Sequence, residues 1–366
     1  MSRRLTVVQL LPALESGGVE RSTLEITDAL VQAGHRAIVV SAGGRLMPQL
    51  LTLGGEHVAL DIGRKSFSTL RLVPSLRRLF AQADIVHARS RVPAWMSRLA
   101  LRGMTHPPHF VTTVHGLNSP SRYSAVMTSG DRVICVSNTV REFIVQHYPR
   151  VDPRKLVVIA RGIDPAEFTR APNPDRPARA RIAALYPQLD GAGPMLLMPG
   201  RGTRLKGHGD ALRLLDGVRQ SGLDARLWLA GARQPGRDAY VEELEGEAAR
   251  LGIADVVAIT APTSAIAEAY AASDLVLQLS RKPEAFGRTV LEALSVGRPV
   301  LGWAHGGVGE LLHQWQPQGA IAAYDETALL ACARALLSHP PPPVGTIPDS
   351  LREMKQATID LYEHLA

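Results

Sequence analysis

Only two cysteines occur in this chain of 366 residues, Cys135 and Cys332, and they stand far apart in sequence. That scarcity excludes a disulfide framework and the paired spacing of a structural zinc site. Both thiols are expected to be reduced and buried in the core of a cytoplasmic protein. Aromatic residues make up 5% of the chain. With no basic helix interleaved with aromatics and no nucleic-acid-binding motif, nucleic acid is not an expected partner. Long apolar runs are missing as well: Met195–Met198 and Leu275–Leu279 fall far short of the about 20 residues needed to span a bilayer. The opening basic pair and the apolar run behind it could pass for a secretory leader. The run is β-branched, closed by Pro12 and without a small-x-small cleavage site, and it reads instead as a first strand. Three short signatures are absent: G-x-G-x-x-G, the Gly-Lys-Ser/Thr of a P-loop, and Asp-x-Asp. A metal held by paired aspartates is therefore not expected.

What is present describes an ordinary globular protein, 45% hydrophobic and 20% charged. The length suggests two domains. Net charge is +7 and unevenly placed: residues 1–165 hold 21 Lys and Arg against 11 Asp and Glu, a net of +10, and the remainder holds 20 against 23, a net of −3. Such asymmetry points the first half towards an anionic partner, a membrane surface or a phosphorylated or lipid-linked substrate. The alternative is that arginine simply serves as the surface cation, since only five lysines occur. The candidate basic surface comprises Arg64, Lys65, Arg71, Arg77 and Arg78, followed by Arg89, Arg91, Arg98 and Arg102.

Short β-branched runs alternate with amphipathic helical stretches. Leu5–Leu10, Ala37–Ser41, His57–Leu60, Asp84–Ala88, Phe110–Val114, Arg132–Val136 and Leu156–Ile159 read as strands. At Arg161-Gly-Ile-Asp the rhythm breaks, and a stretch to Arg181 with Pro165, Pro172, Pro174 and Pro177 reads as an interdomain linker. The pattern restarts with Met195–Met198, Arg226–Ala230, Val256–Ile259, Leu275–Gln278, Val300–Gly302 and Ala320–Ala323. The expectation is an α/β protein of two tandem Rossmann-like domains, residues 1–165 and 166–349, with a C-terminal helix in 350–366 packing back on the first. In such a protein the ligand site lies at the carboxyl ends of the strands, in the crevice between domains.

Strand-end loops carry the candidate chemistry. Gly17 and Gly18 open a helix after the first strand, either as a tight turn or as a loop that lets a phosphate or sugar approach closely. His115 follows the fifth strand in Val114-His-Gly-Leu-Asn, as a ligand-facing group or a structural hydrogen-bonder. In the second half, Gly200, Gly202 and Gly207 surround Arg201 and Lys206, two cations five residues apart that suit a diphosphate or a solvated basic turn. The stretch Arg281 to Pro299 holds Glu284 on a loop and Glu292 about two turns into a following helix, with Ala285, Phe286, Gly287, Arg288 and Thr289 at the turn. Backbone N–H groups at that helix start would attract an anion.

Taken together, these residues resemble the retaining glycosyltransferases of family four, which have the GT-B fold. The shared motifs are GGVER with Gly34-His35, VHG at 114–116, RGID with Phe168, PGR with Lys206-Gly207, and E-x7-E from Glu284 to Glu292 followed by Gly297-x-Pro299. HARSRVPAW at 87–95 and PEAFGRT look like bacterial enzymes of lipopolysaccharide core or surface-glycan synthesis. The resemblance implies two domains facing across a cleft and transfer of a hexosyl or N-acetylhexosaminyl unit, with retained configuration, from a nucleoside diphosphate sugar, preferably UDP-linked. The acceptor would be a glycolipid or oligosaccharide, at the inner face of the cytoplasmic membrane. No cofactor and no metal are implied. Arg201 and Lys206 would hold the diphosphate, capped by backbone N–H groups of Phe286 to Thr289. Glu292 would bind the ribose, Glu284 and His115 the sugar, and Gly17 and Gly18 would line the acceptor side. Thr260 and Ala261 would carry the base, although this chain reads Ile-Thr-Ala-Pro where the family often has glycine. Glu284 becomes a sugar-binding group in this reading and not a nucleophile. A nucleotide-sugar epimerase or hydrolase, and a non-catalytic glycan-binding adaptor, remain open on the residues alone.

Overall fold

The computed structural model describes residues 3–15, 17–171, 173–348 and 350–366; Ser16 of the first glycine loop, Pro172 of the proline-rich stretch and Asp349 lie outside the described residues. The chain forms two compact units that part between Arg161 and Gly162, and residues from Leu351 onward belong to the first.

Seven strands build the first unit: β1 Thr6–Leu10, β2 Arg36–Ser41, β3 Glu56–Ala59, β4 Ile85–Ala88, β5 His109–Val114, β6 Arg132–Cys135 and β7 Leu156–Val158. All pair in parallel, in the order β3-β2-β1-β4-β5-β6-β7. A parallel sheet is covered on both faces, so its strands carry consecutive apolar residues instead of alternating ones. Val7, Val8 and Leu10 are accordingly buried, and Val8 stands between Ile38 and Val86 in register. The strand order reverses between β1 and β4, where the connections leave in opposite directions and open a crevice at the strands' carboxyl ends.

The C-terminal helix Ser350–Leu365 adds Met354, Ile359 and Tyr362 to the core formed by Leu5, Val7, Ile26 and Leu30. Its fully buried Tyr362 hydroxyl lies 2.5 Å from His87 Nδ1, and His87 Nε2 lies 2.7 Å from the Thr113 hydroxyl. Burial, reinforced by Arg89 and Arg161, holds His87 well below the usual histidine range, so this network is neutral at its centre.

The second unit repeats the design with β8 Met195–Leu197, β9 Arg226–Ala230, β10 Val257–Thr260, β11 Leu275–Gln278, β12 Val300–Trp303 and β13 Ala320–Ile321. The sheet is again parallel, ordered β10-β9-β8-β11-β12-β13, and reverses between β8 and β11.

Four expectations need correction. The proline-rich stretch is not linker as far as Arg181, because a helix runs from Arg176 to Leu185, capped by Asp175 and with Pro177 in its first turn. The last strand stops at Ile321, and the chain turns through Tyr324 at φ 70° before Asp325 caps the next helix. Cys332 is half-buried on the flank of that helix, while Cys135 is buried; burial pushes the Cys135 thiol up to about 12. Arg89 is 3% exposed and therefore no part of a surface charge run. It stands where β4 ends at the reversal point, and its guanidinium donates to Gln9 Oε1 at 2.9 and 2.6 Å and to the Ser22 hydroxyl at 3.2 Å.

Replacing Tyr362 by alanine removes a large buried ring and is expected to lower unfolding free energy by about 3–5 kcal/mol. Tyr362→Phe, which loses one hydrogen bond, should cost about 1 kcal/mol. Urea unfolding compares the two. Equal midpoints for Tyr362→Ala and wild type would show that the helix does not complete this core.

Candidate functional site

In the second unit, the loops after β8 and β11 meet at the reversal point. After β8 the chain makes a 3-10 turn at Arg204–Lys206 and enters the helix His208–Gln220 through Gly207. Gly207 has φ +81°, and a Cβ there would lie 2.0 Å from the Leu279 carbonyl oxygen, so no other residue fits this junction. The stem of Lys206 runs over Gly200, within 3.6 Å of where a Cβ would stand. Its ammonium thereby reaches Glu284 Oε1 at 2.6 Å, each side chain 25% exposed. Ser280 also donates to Glu284 Oε1, and Gln278 Nε2 donates to Oε2 at 3.3 Å. The turn after β8 and the end of β11 thus converge on one carboxylate.

The loop that carries Glu284 is fixed by its backbone. Arg281 N–H donates to Leu205 O at 2.8 Å, which ties this loop directly to the Lys206 turn. Glu284 forms a parallel bridge with Gly306, and Gly307 N–H donates to Glu284 O at 2.7 Å. Added Cβ atoms would come within 2.5 Å of Glu284 O at Gly306 and 2.3 Å of Phe286 O at Gly307. Sequence reasoning missed this pair, although the signal was there: two adjacent glycines opening a helix after a strand, as at Gly17-Gly18. Three further supports were also missed. His305 Nε2 lies 2.8 Å from Ser280 O, the Tyr324 hydroxyl donates to Arg281 O, and the Arg281 guanidinium donates to the buried Asp210 at 3.1 Å. Burial raises the Asp210 carboxyl, opposed by Arg281 and Arg213.

Beyond Glu284, Ala285 and Phe286 are buried and Gly287, in the left-handed region, caps the helix Arg288–Val296. The first N–H groups of that helix, at Arg288 and Thr289, have no carbonyl one turn earlier within it to bond, as at any helix start. Glu292 lies one turn in from Arg288, not two, and is 7% exposed. Tyr270 donates to its Oε2 at 2.8 Å, and Arg288 Nε is 3.7 Å from its Oε1. Arg201 is not drawn into this cluster; among the described residues its exposed side chain makes no hydrogen bond or ion pair. Thr260 ends β10 with its polar atoms engaged. Its hydroxyl accepts from Trp228 Nε1 at 2.9 Å, and its carbonyl accepts from Gly231 and Arg233 N–H groups at 3.1 and 2.9 Å. Thr260 and Ala261 form part of the wall of a cavity of about 440 Å3 that Tyr186 and Arg233 also line.

In the first unit, Gly17 and Gly18 open the helix Gly18–Gln32, and Gly18 borders open space. His115 follows β5, and the Arg161 guanidinium donates to its Nδ1. Burial first, then the positive charges of Arg161 and Arg89, hold its pKa well below the usual histidine range. Ser22 connects the two arginines, accepting from both. Among the described residues no group of three or more His, Cys, Asp or Glu side chains could hold a metal ion, and no helix is long and apolar enough to cross a membrane.

Residues 16–167 match the family model described as Glycosyltransferase Family 4, and residues 187–357 match that described as Glycosyl transferases group 1. A D-inositol 3-phosphate glycosyltransferase of Segniliparus rotundus is 28% identical over 204 residues, 53% of this chain and 43% of its own length. The chain spans about half the length of the curated relatives it matches. A glycosyltransferase from Rickettsia africae superimposes with a TM-score of 0.84 at 26% identity, covering 99% of this chain and 98% of that one. The Anabaena HepE protein, crystallised with UDP and glucose, shares the fold with a TM-score of 0.81 at 19% identity over 99% of this chain and 100% of its own.

Proposed function

We propose that this chain, built of a glycosyltransferase family 4 domain followed by a glycosyl transferases group 1 domain, is a retaining, metal-independent glycosyltransferase. It moves a hexosyl or N-acetylhexosaminyl unit from a nucleoside diphosphate sugar, UDP-linked, to a glycolipid or oligosaccharide acceptor of bacterial lipopolysaccharide or surface-polysaccharide synthesis. The observation that carries this reading is the Lys206–Glu284 pair at the reversal point between β8 and β11. A cation and a hydrogen-bond acceptor held side by side suit the two ends of a sugar diphosphate.

In the proposed reaction, Lys206 and the unengaged Arg201 take the diphosphate, with the N–H groups at the start of the Arg288–Val296 helix. Glu284 accepts from sugar hydroxyls. Glu292 accepts from the ribose, oriented by Tyr270 and Arg288. The bond from the anomeric carbon to the β-phosphate oxygen breaks through an oxocarbenium-like transition state. The acceptor oxygen bonds to the same face, and its proton passes to the departing diphosphate, leaving a glycoside and UDP. Positive charge on Arg201 and Lys206 stabilises that leaving group, which is the work a metal does in enzymes with paired aspartates. UDP as the nucleotide is supported by the complex of the Anabaena protein. An anionic acceptor is supported by the inositol phosphate named for the Segniliparus rotundus enzyme and by the net +10 of residues 1–165.

Docking at the cytoplasmic face of an anionic membrane is part of the same proposal. Phe67 is 92% exposed on the 3-10 turn Phe67–Leu72, beside exposed Arg64, Lys65 and Arg71. An apolar ring flanked by cations fits an anionic lipid surface, where each cation contributes about 1 kcal/mol.

A panel of nucleotide sugars assayed by nucleotide release, with the product's anomeric configuration read by NMR, tests the reaction. Transfer from a UDP-sugar with retention is expected, and kcat should fall about 10²–10³-fold in Lys206→Ala. Isomerised sugar nucleotide from donor alone, or a covalent glycosyl adduct on Glu284, would overturn the assignment. Vesicle sedimentation tests docking: binding to anionic vesicles at low salt that weakens in Phe67→Ala is expected, and equal binding to neutral vesicles contradicts it.

A further inference from the structure

We propose that Arg161 is a positioning residue that fixes His115 in the Nε2–H tautomer, making the imidazole a hydrogen-bond donor and not a base. The use of that donor towards a sugar oxygen rests on the glycosyltransferase reading; the tautomer itself concerns only the first unit.

A guanidinium carries donors and no acceptor, so the ring nitrogen it bonds must be unprotonated, and the proton of a neutral imidazole then sits on the other nitrogen. The Arg161 guanidinium donates to Nδ1, and the same terminal nitrogen stands 3.5 Å from Nε2. The shorter contact decides the tautomer. Arg161 is itself anchored, with its other terminal nitrogen donating to Ser22 and lying 3.9 Å from Met354 Sδ on the C-terminal helix.

The surroundings keep the ring neutral. The titratable groups that act on His115 are Arg161, after β7, Arg89, just beyond the end of β4, and His87, within β4. His87 is itself held neutral, and Glu25 and Tyr362 act on Arg89. An imidazolium at this place would face two guanidiniums, so the protonated form is disfavoured by charge as well as by burial. A neutral ring with Nδ1 occupied can donate from Nε2, but it has no lone pair left to take the acceptor's proton.

Histidine labelled with 15N gives a direct readout, since long-range 15N–1H correlation distinguishes the tautomers. The chain holds 12 histidines, and His115→Gln identifies the resonances of interest. In wild type His115 is expected as the Nε2–H tautomer from pH 5.5 to 8, without the protonation step that a free histidine shows near about 6.5. In Arg161→Met the tautomers mix and the titration moves up towards that value. An Nδ1–H tautomer or protonation near the ordinary value in wild type would overturn the proposal, as would an unchanged spectrum in Arg161→Met. Should that variant fail to fold, the wild-type spectrum decides alone. The expected tautomer together with no transfer from any nucleotide sugar would strike the glycosyltransferase reading and leave this positioning role standing.

Discussion

The contact between Lys206 Nζ and Glu284 Oε1, 2.6 Å long, draws its place from the topology of a parallel sheet. Neighbouring strands whose connections depart in opposite directions leave an uncovered gap at their carboxyl ends. In the second unit that gap lies between β8 and β11, and the loops that border it supply the lysine and the glutamate. With each partner a quarter exposed, the pair contributes only about 1 kcal/mol net. Such a pair is readily exchanged, and in the proposed reaction the diphosphate would replace the carboxylate as partner of the ammonium.

Rigidity comes from the atoms behind the pair. Consecutive carbonyls of Ser280 and Arg281 are met by His305 and Tyr324, and the Glu284 carbonyl by Gly307 N–H. Gly207, Gly306 and Gly307 sit where the backbones of two loops come too close to admit a Cβ. The side chains that would meet a ligand are thus set on loops whose main chain is fixed from outside. The first unit reaches the same end differently, with Arg89, Arg161 and Ser22 forming a partly buried cationic cluster beside His115 that holds its pKa down.

Much of this is legible in the amino-acid sequence alone. Buried parallel strands announce themselves by consecutive apolar residues, and both sheets were readable because the helices between them carry a different period. Lys206 and Glu284 were legible because glycine, charge and strand end coincide in sequence. What escaped depends on partners distant in sequence. Arg89 looks like one more surface cation until Gln9 on β1 is seen to receive it. Glu292 reads a turn deeper in the sequence than it is, because the helix begins only at Arg288, after the left-handed Gly287. Tyr324 has no local signature, since it acts through a backbone carbonyl, and RGID marks Arg161 without naming the His115 it meets.

The central claim is that Lys206 at the β8–β11 reversal point is the cation for a nucleoside diphosphate. Calorimetric titration of UDP into wild type, Lys206→Met and Glu284→Gln tests it most directly. The account predicts that Lys206→Met loses on the order of tenfold or more in affinity, as expected for a charge-assisted hydrogen bond worth about 1.5–3 kcal/mol, while Glu284→Gln, whose lysine no longer has a carboxylate to leave, binds UDP at least as tightly as wild type. UDP binding unchanged by Lys206→Met would contradict it.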